Sequence, residues 1–175
     1  MKTCRFSSRA GITLFRAKPM MLIASLICAA SPLSAAHIFV NVTAAMGISG
    51  QTGLGHSVGW CDIDYDGDLD LAFSNQNSGG FWLYRNDGAA FTDITSAAGL
   101  GGLTANRILW GDVTGDDHPD LVVRTWDAGQ KLYRNAGSGH FTDITGGSGV
   151  GGSIYALADF NNDGAIDLLS LTSAS

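Results

Sequence analysis

The chain has 175 residues, ten Lys and Arg against sixteen acidic residues, all of them Asp, and a formal net charge of −6. That length fits one domain. The acidic balance disfavours nucleic acid and anionic membranes as partners, because both recruit clustered Lys and Arg.

Residues 1–36 read as a secretory signal peptide. Lys2, Arg5, Arg9, Arg16 and Lys18 supply a basic start, Met20 to Ala30 an apolar run, and Ser34-Ala35-Ala36 a small-residue cleavage site. An apolar run of about 11 residues is too short for a bilayer, which needs roughly 20. Removing the leader leaves five basic residues (Arg85, Arg107, Arg124, Lys131 and Arg134) against the sixteen Asp, a balance near −11. Only Cys61 then remains, so no internal disulfide is expected, and its neighbours suggest an inert, buried thiol. The expected location is secreted or extracellular, with the periplasm or cell surface as variants.

The remaining chain, 37–175, opens on a lone β-rich stretch, Phe39 to Thr43. A strand is predicted over His56–Cys61, running directly into Asp62-Ile-Asp64-Tyr-Asp66-Gly67-Asp68-Leu-Asp70. Five carboxylates in nine residues, with oxygen side chains at every second position, suit a loop curled around a hard cation. Ca²⁺ takes roughly six to eight oxygen ligands, and such loops use positions 1, 3, 5 and 7, the last through its carbonyl. Asp62, Asp64, Asp66 and Asp70 are the expected side-chain ligands and Asp68 the carbonyl donor. Gly67, at position 6, can take φ > 0 for the sharp turn. Without a cation, so many like charges would repel one another.

Further strands are predicted over Leu69–Ser74, Phe81–Arg85 and Phe91–Thr95, with a hairpin signal at Asn86-Asp87-Gly88. The pattern then returns at a period of about 49 residues. Strands are expected at 106–110, 121–125, 131–134 and 141–145. Leu83-Tyr-Arg-Asn86 recurs as Leu132-Tyr-Arg-Asn135, and Phe91-Thr-Asp-Ile-Thr95 as Phe141-Thr-Asp-Ile-Thr145. Phe39 to Ile48 echoes Phe91 to Leu100.

The acidic loop recurs twice. In the second copy the ligands would be Asp112, Thr114, Asp116, the carbonyl of His118, and Asp120, with Asp117 where Gly is expected. In the third they would be Asp159, Asn161, Asp163, the carbonyl of Ala165, and Asp167, with Gly164 retained. The first loop carries the full pattern, so the expected affinities fall in the order one, three, two. The units span approximately 55–95, 105–145 and an incomplete 153–175, with no convincing helix. Four strands per unit of roughly 40–50 residues is the blade of a β-propeller. The expected fold is all-β: a partial propeller of about two and a half antiparallel blades. Closure needs roughly four to eight blades, so a truncated chain is the first expectation, with completion by other chains or an open stack with exposed edges as the alternatives.

These residues resemble the FG-GAP/VCBS repeat family, known from integrin α chains, and in style the secreted bacterial VCBS and ASPIC/UnbV, cartilage-acidic-protein-like repeat proteins. The resemblance rests on the Asp62–Asp70 loop, its two copies, and the apolar strand after each. It implies a propeller with Ca²⁺ in the loops between first and second strands, and roles in extracellular adhesion and recognition.

Other patterns are weaker. Gly55-His-Ser57-Val-Gly59 matches the G-x-S-x-G nucleophile elbow, but a strand and an acidic loop follow where a helix is needed. Gly147 to Gly152 matches a dinucleotide fingerprint, again without its helix. An EF-hand requires Glu at position 12, where Phe73, Val123 and Ser170 stand. The four His are not at zinc-ligand spacing. Trp60 and Trp110 fit blade core better than sugar platforms, and Arg85 and Arg134 are expected to pair with neighbouring Asp. Asn41-Val-Thr43 is a sequon. The function expected is therefore a Ca²⁺-binding module, not an enzyme, that recognises an extracellular protein or glycan. The alternative is a fragment of a propeller-based polysaccharide lyase or glycosidase.

Overall fold

A computed structural model describes residues 15–18, 38–48, 54–76, 80–126 and 129–171. Apart from 15–18, the predicted leader lies outside the described residues. Twelve strands are present among the described residues: β1 (Phe15–Lys18), β2 (Ile38–Asn41), β3 (Gly55–Cys61), β4 (Asp70–Asn75), β5 (Phe81–Asn86), β6 (Phe91–Asp93), β7 (Arg107–Gly111), β8 (Asp120–Arg124), β9 (Gln130–Asn135), β10 (Phe141–Asp143), β11 (Ser153–Ala158) and β12 (Asp167–Leu171). No helix among the described residues is long and apolar enough to cross a membrane.

Every pairing is antiparallel. β3-β4-β5-β6 and β7-β8-β9-β10 form two four-stranded sheets, β11-β12 a two-stranded one, and β1 pairs with β2. The two large sheets are built in the same register: Trp60 lies opposite Leu71 and Leu71 opposite Tyr84, as Trp110 lies opposite Leu121 and Leu121 opposite Tyr133. This is a partial β-propeller: the described residues make two full blades and half a third and do not close a ring.

The fourth strands end at Asp93 and Asp143, two residues before the sequence pattern predicts. At that point the Thr95 amide donates to Asp93 Oδ1 (3.0 Å) while its hydroxyl takes the Leu83 amide (2.8 Å). Thr145 does the same with Asp143 (2.9 Å) and Leu132 (3.1 Å). A side-chain hydroxyl thus replaces the next ladder bond, and the chain turns away. Asp93 and Asp143, which recur identically, shape turns.

Burial explains why the second strands are unbroken apolar runs and do not alternate. Leu71 and Phe73 face a cluster with Ile48, Tyr84 and Phe91. Ala72, between them, faces the second blade in a cluster that holds Leu121, Val123 and Phe141. In turn Val122 faces the third unit with Leu132 and Ile154. Each middle strand is covered on both sides, and the core is a set of inter-blade layers. Trp60 packs edge-on against Phe91 (6.1 Å) and Trp110 at a tilt against Phe141 (5.8 Å), so both belong to blade packing. Gly59 lies under the Trp110 indole, where a Cβ would come within 2.8 Å of Nε1. Cys61 is half-buried against the central cluster.

The blades are also stitched by backbone. The turn after each unit's last strand offers a carbonyl to the next unit: Met46 O accepts from the Phe91 amide (2.8 Å) and Ala98 O from the Phe141 amide (2.9 Å). The echo between residues 39–48 and 91–100 is therefore a shared structural device. Ser57 sits within β3, its hydroxyl accepting from the Ile108 amide (3.1 Å) across the blade boundary.

Candidate metal centre

Three loops join the first and second strands of their units: 62–69, 112–119 and 159–166. They share one hydrogen-bond plan. The first-position carboxylate accepts from the sixth-position amide: Asp62 from Gly67 (3.1 Å), Asp112 from Asp117 (2.8 Å), Asp159 from Gly164 (3.0 Å). The fifth-position carboxylate accepts from the seventh: Asp66 from Asp68 (2.9 Å), Asp116 from His118 (3.1 Å), Asp163 from Ala165 (2.8 Å). The ninth-position carboxylate reaches back to the second: Asp70 accepts from Ile63 (2.9 Å), Asp120 from Val113 (3.0 Å), Asp167 from Phe160 across the corresponding gap (3.0 Å).

Two positions per loop adopt left-handed backbone. The sixth does so as the spacing predicts, including Asp117 at φ 67°. The fourth does so as well, at Tyr65, Gly115 and Asn162. Spacing alone gave no hint of this second bend, because Tyr65 is not a residue type that favours it.

The ninth-position Asp has a second task. Asp70, 1 % exposed, also accepts from the Asn86 amide (2.8 Å), and Asp120, 0 % exposed, from the Asn135 amide (2.9 Å). Each latches its loop to the third strand of its own blade. Burial pushes the Asp70 carboxyl up to about 6, against the two amide hydrogen bonds that favour its charged form, and Asp64 and Asp66 push the same way.

Carboxylate oxygens converge at two places. In loop one Asp62, Asp64 and Asp70 each bring an oxygen within 4.8 Å of the others, and in loop two Asp112, Asp116 and Asp120 do so. These are the only such trios among the described residues; Asp159, Asp163 and Asp167 do not form one. Asp66 and Asp68 of loop one are exposed and lie outside its trio. Thr114 is exposed and directs its hydroxyl to Asp116.

A hard cation fits loop one on a specific observation. Asp62 Oδ1 and Asp64 Oδ1 are both sealed from solvent without a hydrogen-bond donor. Two anionic oxygens shut away unpaired, beside a third buried carboxylate, are costly unless a positive charge sits among them. Loop two shows no such deficit. Each oxygen of its trio accepts from a donor, among them Arg134, whose Nε and Nη2 reach Asp116 Oδ2 at 2.9 and 2.8 Å.

The two loops touch. Asn135, 0 % exposed, donates from Nδ2 to the Ile63 carbonyl of loop one (2.8 Å) and to Pro119 O (3.3 Å). The Tyr65 hydroxyl donates to the Asp117 carbonyl, and its ring lies 5.4 Å from that of His118. His118 Nδ1 is buried without a partner, under Gly137. Sequence reasoning missed Asn135 and Arg134 as loop residues, although both recur in the repeated Leu-Tyr-Arg-Asn segment. The repeat marked them, but only the fold aims the third strand's end at the loops. Both arginines do pair with Asp: Arg85 takes Asp87 at 2.7 Å.

A sequence model described as the FG-GAP-like repeat matches residues 62–123 and again 112–170, each match beginning on the first aspartate of a loop. No curated protein matches the chain.

Proposed function

This chain belongs to the FG-GAP-like repeat family, and on that premise we propose that it is a secreted Ca²⁺-binding module that recognises an extracellular protein or glycan. The cation's task is structural. It neutralises the carboxylates of the loop between a blade's first and second strands and holds those two strands together. The observation that supports this reading is the pair of donorless, buried oxygens on Asp62 and Asp64. An all-oxygen carboxylate site suits Ca²⁺, which accepts irregular geometry, better than Mg²⁺, which demands near-ideal octahedral geometry and keeps its waters. Recognition is favoured over catalysis in this reading, supported by Asp93 and Asp143 holding turns and by Ser57 accepting the Ile108 amide across the blade boundary.

Calorimetric titration of the chain with Ca²⁺ tests the proposal. Binding at a Kd of roughly 10⁻⁴ to 10⁻³ M is expected, typical of extracellular modules. Asp64→Asn should abolish the tightest site. Absence of heat in the wild type would refute the assignment.

A further inference from the structure

The two trios differ in how their charge is met, and their blades differ in the residue that follows the third-strand asparagine. Arg85 and Arg134 occupy equivalent places, one residue before the asparagine that ends β5 and β9. In the first blade the next residue is Asp87, which captures Arg85 at 2.7 Å and is itself held by the Thr92 hydroxyl at 2.5 Å. Among the described residues no Lys or Arg then ion-pairs with loop one. In the second blade that place is Ala136, which offers no carboxylate. Arg134 turns instead to Asp116, the fifth position of loop two. Thr114 adds a hydroxyl, and the guanidinium holds the Asp116 carboxyl below the usual carboxylate range.

We propose that Arg134 is the resident counter-charge of loop two, and that Asp87 keeps its counterpart Arg85 out of loop one. The residue after the third-strand asparagine thereby decides which loop is open to a divalent cation. The inference rests on the metal reading of loop one. A guanidinium that makes two hydrogen bonds to one ligand oxygen competes with a cation for the same charge and the same lone pairs. Loop two keeps acidic residues at positions 1, 5 and 9, yet it is closed by its own blade.

The test is Ca²⁺ calorimetry on the full chain with four exposed or half-exposed substitutions and one control. Ala136→Asp and Arg134→Gln should each add one site to the wild-type number, the first by capturing Arg134 and the second by removing its charge. Asp87→Ala should release Arg85 toward Asp66 and weaken loop one about tenfold, the scale of one added charge nearby. Asp116→Asn should leave the wild-type number unchanged, while the control Asp64→Asn removes the loop-one site. If loop one titrates but Ala136→Asp and Arg134→Gln gain nothing, or Asp116→Asn loses a site, the counter-charge assignment is wrong. If neither wild type nor any variant takes up Ca²⁺, the metal reading itself falls, and this inference with it.

Discussion

Asp64 carries opposite consequences with and without a cation. Its Oδ1 is buried without a donor, beside Asp62 and the buried Asp70. In the ion-free chain that grouping is repulsive, so Asp64→Asn should melt in EGTA at or above the wild-type temperature. At ~1 mM free Ca²⁺ and a Kd of ~10⁻⁴ M, the wild type should gain about 1.4 kcal/mol. For a domain of this size that is roughly 4 °C in Tm, and Asp64→Asn should gain none of it. Differential scanning calorimetry in the two buffers reads both halves, and a variant that melts lower in EGTA would contradict the repulsion. Asn135 makes a different argument, because its amide joins two blades. Replacing it by Ala orphans the buried Ile63 carbonyl and removes the oxygen that takes the Gly137 amide at 3.0 Å. A destabilisation of roughly 3 kcal/mol is expected in urea, at the rate of about 1–3 per orphaned buried group.

The turn that follows each fourth strand is where elements of neighbouring blades meet. Gly99 has φ +82°, and a Cβ there would lie 2.9 Å from the Phe141 carbonyl; Gly47 repeats both features against Phe91. Gly102 has φ +76° but open space around it. Gly99→Ala should therefore cost roughly 1–2 kcal/mol for left-handed backbone plus the displacement of β10, whereas Gly102→Ala should cost only the first. Equal losses in urea denaturation would mean that the close approach carries no energy. This element also marks where the sequence becomes hard to read. Strands, loops and the glycine-like bend at position 6 were legible because short β-rich runs between turn signals and regularly spaced aspartates are local signals. The length of β6 and β10 was not, since Thr95 ends its strand through a side-chain bond to Leu83, twelve residues away. Nor was the composition of the trios. Asp66 and Asp116 occupy the same place in the spacing, yet only Asp116 joins its cluster. Side-chain direction there answers to what the third strand presents, which no local pattern records.

Across the molecule, stability should fall from the first two blades toward the third. β4 is buried along its whole length and β8 along all but Arg124. β11 and β12 make only a two-stranded sheet, on which Tyr155, Leu169 and Leu171 stay exposed. A hairpin of this size is marginal by itself in water. It holds its place through Ile154, Leu157 and Leu168 against Val122 and Leu132 of the second blade. In a repeat stack, each unit gains chiefly from its neighbours, and this unit has a described neighbour on one side only. Hydrogen exchange should therefore find the slowest amides in β4 and β8. The amides of β11 and β12 should exchange roughly a hundredfold faster, through an opening that leaves the other sheets intact. Ile154→Ala should widen that gap by freeing the third unit, with the rates in β4 and β5 unchanged. If Ile154→Ala instead accelerated all three sheets together, the stack would be a single cooperative body, and the layered core would not be divisible by blade.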